Sequence, residues 1–163
     1  MTEPTFRGAR IEDWPSIFRI FSAVTSSGDT YPYLPNTSEE DAHRIWMSPQ
    51  NSVYVACVDD VVIGTSYVRP NMVGLGDHVA NAGWMIDPEY QGRGVGRPFA
   101  EYVLAEARRV DFVAMQFNAV VATNTNALAL WQKLGFEIVG TIPDAYRHAE
   151  HGLTAVHVMY RQL

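Results

Sequence analysis

Trp84-Met85-Ile86-Asp87-Pro88-Glu89-Tyr90-Gln91-Gly92-Arg93-Gly94-Val95-Gly96 is the stretch that decides how this chain is read. An apolar run ends at Asp87-Pro88, a glycine-rich loop follows, and a helical pattern starts near Gly94. The succession predicts a strand, a tight loop and a helix N-terminus. Glycines let a backbone approach a ligand closely. The first N–H groups of a helix lack partners and lie at the positive end of its dipole, so the stretch predicts an anion site, with phosphate the natural occupant. Two familiar phosphate loops do not fit. The P-loop requires Gly-Lys-Ser/Thr after a second glycine, and the chain has no such run. The dinucleotide fingerprint requires Gly-x-Gly-x-x-Gly, whereas the glycines here fall as Gly92-x-Gly94-x-Gly96. The spacing excludes both.

Composition narrows the setting. At 163 residues, 47% hydrophobic and 18% charged, the chain predicts one globular domain over residues 1–163. A net charge of −6 argues against nucleic acid or an anionic membrane as the main partner. A phosphate-bearing ligand must then be held by local features against the overall field. Cys57 is the single cysteine, which excludes an intrachain disulfide; in the apolar run Val53 to Val58 it reads as a buried, inert thiol. Met1-Thr2-Glu3-Pro4 has no basic region followed by an apolar stretch, and no apolar run approaches the ~20 residues of a membrane helix. The expectation is a soluble, cytoplasmic protein.

Outward from the glycine loop, the rest of the chain alternates strands and helices. Thr5 to Arg10 reads as a first strand, and a helix from Glu12-Asp13-Trp14-Pro15 carries Ile17, Phe18, Ile20, Phe21 and Val24 on one face until Gly28. Asp29 to Asn36 is a loop, unusually apolar through Tyr31, Tyr33 and Leu34. Thr37 or Ser38 caps a second helix running to about Met47. Ser52 to Val58 and Val61 to Val68 form a hairpin turned at Asp59-Asp60, and His78 to Ile86 is the next strand. After the loop come a helix to Arg108-Arg109, a strand from Phe112 to Ala122 and a helix from Asn124 to Leu134 closed by Gly135. A strand from Phe136 to Ile142, a polar loop through Gly152 and a last strand from Leu153 to Tyr160 complete the order βααβββαβαββ.

Gln91 to Gly96 fits Gln/Arg-x-x-Gly-x-Gly/Ala, and Asn124-Thr125-Asn126-Ala127-Leu128-Ala129-Leu130-Trp131-Gln132-Lys133-Leu134-Gly135-Phe136 fits roughly Asn-x-x-Ala-x-x-Leu-Tyr-x-Lys-x-Gly-Phe. In this order, and separated by a strand, the two stretches resemble the signatures of the GCN5-related N-acetyltransferase (GNAT) family over about Phe6 to Tyr160. The resemblance implies an α/β (α+β) fold. Its mixed central sheet would have about seven strands, splayed at the acetyl-CoA site, with about four helices. It implies acetyl-CoA as acyl donor and no metal. Backbone groups around Met85 and Ile86 would meet the pantetheine arm, and N–H groups of Gln91, Gly92, Arg93, Gly94, Val95 and Gly96 would hold the pyrophosphate. Asn124 and Trp131 would contact CoA, with Arg93, Arg97 and Lys133 as further charges. Trp131 stands where many relatives have a tyrosine that protonates the leaving thiolate. Indole does not release a proton near neutral pH, so the acid is open among Tyr31, Tyr146, Tyr160 and none. The strand His78 to Trp84 carries no carboxylate to serve as base, and His78 at its start reads as a surface residue.

Asn81 and Asn118 interrupt otherwise apolar strands, where asparagine is depleted and a buried amide needs partners. A structural cross-strand hydrogen bond and a place in the transfer cleft are both open. His78-Val-x-Asn81-Ala-Gly83, Phe117-Asn118-x-Val120 and Ala122-Thr-Asn124 are similar to the proline-analogue acetyltransferases within the family. There, asparagines at these two positions line the substrate site and help fix the acceptor's carboxylate. The resemblance therefore implies Asn81 and Asn118 as catalytic-site residues and a small amino-acid-like amine as acceptor, walled in by Tyr31-Pro32-Tyr33. Acetylation of a protein N-terminus or lysine, and a CoA-binding sensor without catalysis, are the alternatives. Dimerisation is common in the family, and the apolar C-terminal strand suits it.

Overall fold

The computed structural model describes residues 3–163, so the first two residues of the N-terminal reading lie outside it. The elements are β1 (Thr5–Gly8), α1 (Trp14–Thr25), α2 (Glu39–Trp46), β2 (Ser52–Val58), β3 (Val61–Pro70), β4 (Val79–Ile86), α3 (Gly96–Arg109), β5 (Ala114–Val121), α4 (Thr125–Lys133), β6 (Glu137–His148) and β7 (Gly152–Gln162). Each local signal has a physical counterpart. Pro15 opens α1, whose Ile17, Ile20 and Phe21 are wholly buried. Ser38 is the cap of α2, accepting from the Asp41 N–H at 3.1 Å. Asp59 and Asp60 both take positive φ, as a two-residue turn between right-twisted strands requires. Burial of Cys57 pushes its thiol pKa up, in keeping with an inert side chain.

The sheet has seven strands in the order β1-β2-β3-β4-β5-β7-β6, antiparallel throughout except between β4 and β5. On one face Val55 and Met85 pack with Ile17 and Phe21 of α1 and Trp46 of α2. On the other Met115 and Phe117 pack with Phe99 and Val103 of α3 and Trp131 of α4. The single parallel pair matters most for function. β4 and β5 are paired only at Val79↔Ala114 and Ala80↔Met115. Beyond Ala80 the strands part, and the sheet is splayed in its middle.

One stretch departs from the sequence reading. The polar segment read as a loop up to Gly152 belongs largely to β6, which continues to His148. Pro143 and Asp144 break the alternation there, and the β6–β7 register shifts between Ile142 and Tyr146, with Asp144 at φ +53°. The ladder passes these residues by bulging rather than by ending.

Candidate active site

The glycine loop is anchored at the end of β4 by Asp87, which is almost fully buried. Its N–H continues the ladder to the Ile63 carbonyl, one carboxylate oxygen accepts from the Glu89 N–H at 3.0 Å, and the other meets Arg19 of α1 at 2.5 Å. A carboxylate taken from water must be compensated in this way. Asp87→Ala is expected to lower stability by about 2 kcal/mol, because it removes charge-assisted bonds to Arg19 and to the turn. A urea denaturation midpoint reads the loss.

From that anchor the chain makes a 3₁₀ turn, Pro88–Tyr90, and enters the loop. Gly92 and Gly94 take φ of +73° and +81°, a conformation that side chains disfavour. Gly96 is the first residue of α3 in ordinary helical conformation, and a Cβ there would stand 3.7 Å from Leu130 of α4. Of the N–H groups expected to hold a pyrophosphate, those of Gln91 and Arg93 instead donate to the Pro88 and Tyr90 carbonyls at 3.4 Å. Those of Gly92, Gly94, Val95 and Gly96, with Arg97 beyond them, have no partner among the described residues. A concave run of free donors at a helix N-terminus is an anion cradle. The Arg93 guanidinium lies 5.2 Å over the Tyr90 ring, and Arg97 pairs with Glu101 at 2.9 Å on the surface.

The register of β4 decides which backbone groups face the splay. Asn71 N–H donates to the Val79 carbonyl and Asp87 N–H to the Ile63 carbonyl, so the odd-numbered residues of β4 turn their backbone groups toward β3. The even-numbered ones turn the other way, as the bond from Val113 N–H to the His78 carbonyl shows. The open edge therefore belongs to Ala82, Trp84 and Ile86. Met85 is a correction to the sequence reading: its backbone faces β3 opposite Thr65, and its side chain is buried with Trp46 and Tyr67. The Ile86 carbonyl accepts from the Gln91 side chain at 3.3 Å. At Trp84 both backbone groups are engaged by one hydroxyl. Tyr31 donates to the Trp84 carbonyl at 2.6 Å and accepts from the Trp84 N–H at 2.9 Å.

A cavity of about 260 Å³ opens where β4 and β5 part. Asn81 and Asn118 both line it, with Asn124, Trp131, Trp84, Phe117 and the Tyr31-Pro32-Tyr33 loop. Asn81 is buried, and its amide donates to the Gln116 carbonyl at 3.0 Å, replacing the ladder bond lost just past Ala80. Asn118 is exposed at a β5 bulge, where the pairing with β7 shifts between Phe117 and Val120. Bulges re-aim side chains. Its oxygen accepts from Gln116 at 2.9 Å and its nitrogen donates to Asn71 at 2.8 Å. Asn124 caps α4 by accepting from the Ala127 N–H at 3.2 Å. Trp131 is packed against Trp84 and Phe117, each at a ring distance of 4.7 Å.

Of the three tyrosines left open by the sequence, only Tyr31 lines the cavity. Burial holds its phenol well above the ordinary range, so it stays a neutral donor. Tyr146 instead donates to the Tyr31 carbonyl at 3.0 Å and steadies that loop. His78 is exposed and lies outside the cavity lining.

A family model described as "Acetyltransferase (GNAT) family" matches residues 14–136. The chain belongs to the GNAT family. Among solved structures, a GCN5-related N-acetyltransferase from Kribbella flavida is 43% identical, with a TM-score of 0.93 and coverage of 98% of both chains. N-acetyltransferase aca1 of Schizosaccharomyces pombe is 35% identical over 106 residues, which is 64% of this chain but 51% of that protein. The chain thus spans about half the length of that relative. L-amino acid N-acetyltransferase AaaT of Escherichia coli is 27% identical over 145 residues, 86% of this chain and 87% of that one.

In this GNAT chain two residues that line the cavity, Trp84 and Arg69, and one that supports it, Asn71, escape a reading of the sequence alone. Trp84 holds the open edge in place of Met85, a distinction of parity that only the pairing of β3 with β4 fixes. Asn71, just past the end of β3, accepts from the Asn118 amide at 2.8 Å. Arg69 also lines the cavity, and nothing in the sequence marks it beyond its place before Pro70.

Proposed function

We propose that this chain transfers an acetyl group from acetyl-CoA to the amine of a small, amino-acid-like acceptor. The observation that carries the reading is the continuity of three features: an anion cradle at Gly92 to Arg97, an open strand edge at Trp84 and Ile86, and a cavity lined by both asparagines. The cradle suits a pyrophosphate and the strand edge suits the amides of a pantetheine arm, which would bring a thioester to the mouth of the cavity. The acceptor nitrogen, once neutral and positioned, attacks the thioester carbon. The new C–N bond forms, the C–S bond breaks, water carries away the amine's proton, and the thiolate leaves. The Trp84 N–H is the donor available to the developing oxyanion.

That assignment gives Tyr31 a part. When the thioester oxygen takes the Trp84 N–H, the Tyr31 hydroxyl loses its tie to that group and, by turning its one proton from the Trp84 carbonyl, donates to the departing sulfur. A hydrogen bond to a charged group is worth about 1.5–3 kcal/mol, so Tyr31→Phe should lower kcat by roughly tenfold or more. Acetyl-CoA affinity measured by calorimetry should not weaken, since the variant removes a competitor for the Trp84 backbone.

The cavity volume of about 260 Å³, roofed by the tyrosine loop, favours a free small molecule over a peptide side chain presented by a protein. Thiol release measured with free amino acids against lysine-containing and free-N-terminus peptides tests the acceptor class. Free amino acids should be the better acceptors by about tenfold or more, the scale of a few lost contacts. Preference for the peptides would overturn the small-acceptor reading.

A further inference from the structure

We infer that Arg69 is the counter-ion for an anionic group of the acceptor, so that the enzyme selects acceptors bearing a free carboxylate over neutral amines. The inference rests on the proposed acetyl transfer to a small acceptor and deepens it. Of the residues lining the cavity, Arg69 is the only charged one, in a chain that carries 18 acidic and 12 basic side chains. Arg7, Arg19, Arg44, Arg97 and Arg109 each have a carboxylate partner, whereas Arg10, Arg69, Arg93, Arg108, Arg147 and Arg161 have none among the described residues, and of these only Arg69 lines the cavity. Arg69, half-buried, has no ion pair and no hydrogen bond among the described residues. A guanidinium partly withdrawn from water with its donors unused is a costly arrangement unless a ligand completes it.

Its surroundings fit a carboxylate. Arg69 stands opposite Asn81 in the β3–β4 ladder and two residues from Tyr67, and its guanidinium lies 5.3 Å over the Tyr67 ring. That cation–π contact holds the guanidinium at the Tyr67 ring and leaves its N–H donors for a planar anion. Asn71, again two residues on, ties the Asn118 amide beside it. Thr30, on the facing loop, lines the same cavity, and its buried hydroxyl has no partner among the described residues. The field of Arg69 reaches Tyr33, where it opposes the rise in phenol pKa that burial causes. Among the described residues no carboxylate side chain lines the cavity to neutralise this charge, which suits an acceptor that brings its own anion.

The test pairs each free L-amino acid of an acceptor panel with its own carboxamide, in which the anion is gone and the amine is kept. With the unaltered protein, kcat/KM should favour the acids by about 10- to 100-fold, the scale of a charge-assisted bidentate contact. Arg69→Met keeps an apolar stem over Tyr67 and should bring that ratio close to one through a higher KM for the acids. Arg69→Lys, which keeps the charge and loses the fork, should give an intermediate ratio. Acetyl-CoA affinity should move by less than about twofold in either variant, confirming that the donor site is intact. If carboxamides match the acids in the unaltered protein, or if the ratio survives Arg69→Met, the assignment of Arg69 falls while acetyl transfer to small amines stands. If no small amine of either kind is acetylated, both readings fall.

Discussion

Gly94→Val is expected to weaken acetyl-CoA binding by about 100-fold while the fold survives. Gly94 takes φ of +81°, and a Cβ built there meets no atom within 4 Å, so the obstacle is the backbone conformation and not a clash within the protein. Forcing a side chain into the left-handed region costs roughly 1–2 kcal/mol, and a β-branched one more. An exposed loop relieves that cost by rotating, which turns the N–H groups of Gly94 and Val95 away from a common focus. Losing two charge-assisted bonds of about 1.5 kcal/mol each accounts for the factor of about 100. Thermal melts should show a small shift, and calorimetric titration with acetyl-CoA should show the large one. Unchanged affinity would remove the loop from the donor site. Gly96→Ala provides the contrast: its position is helical, and its Cβ would sit in ordinary contact with Leu130. Its effect should be several-fold smaller than that of Gly94→Val.

The second large effect is expected at Asn118. Its exposed amide is held by Gln116 and Asn71, neither of which needs it for the core. Asn118→Ala should therefore change stability by no more than about 0.5 kcal/mol. If the amide contacts the acceptor, kcat/KM for the acceptor should fall by about 10- to 100-fold with donor affinity unchanged. Asn81 is the instructive neighbour. It is buried and bridges to the Gln116 carbonyl, so Asn81→Ala orphans that carbonyl and should lower stability by about 1–3 kcal/mol in addition to any effect on turnover. The two asparagines look alike in the sequence and separate in this measurement. A loss of stability alone at Asn118, with kinetics intact, would confine it to a structural role.

The order of elements was legible because each carries its own local signal. The cap at Ser38, the two aspartates of the β2–β3 turn and the positive-φ glycines of the loop are local, and tertiary contacts did not override them. The splay itself was legible only through the family resemblance, since nothing in Asn81 to Ile86 says that one strand edge goes unpaired. Two kinds of feature stayed hidden. Parity along β4 depends on the register with β3, which put Trp84 on the open edge and turned Met85 away from it. Contacts between distant segments have no local trace. The bonds from Tyr31 to Trp84 span 53 positions, and Arg69 joins Asn81 only through the hairpin of β3 and β4. The long β6 was hidden for a third reason. Pro143 and Asp144 are turn residues by composition, and a bulged ladder accepts them without ending.

The central claim is that the cradle at Gly92 to Arg97 and the cavity at Asn81 and Asn118 form one acetyl-transfer site. Calorimetric binding of acetyl-CoA, followed on the same sample by thiol release across a panel of free amino acids, tests it most directly. The account predicts saturable acetyl-CoA binding and thiol release stoichiometric with an N-acetylated amino acid. Tight binding of acetyl-CoA with no release on any amine would contradict it and leave a CoA-binding protein without catalysis.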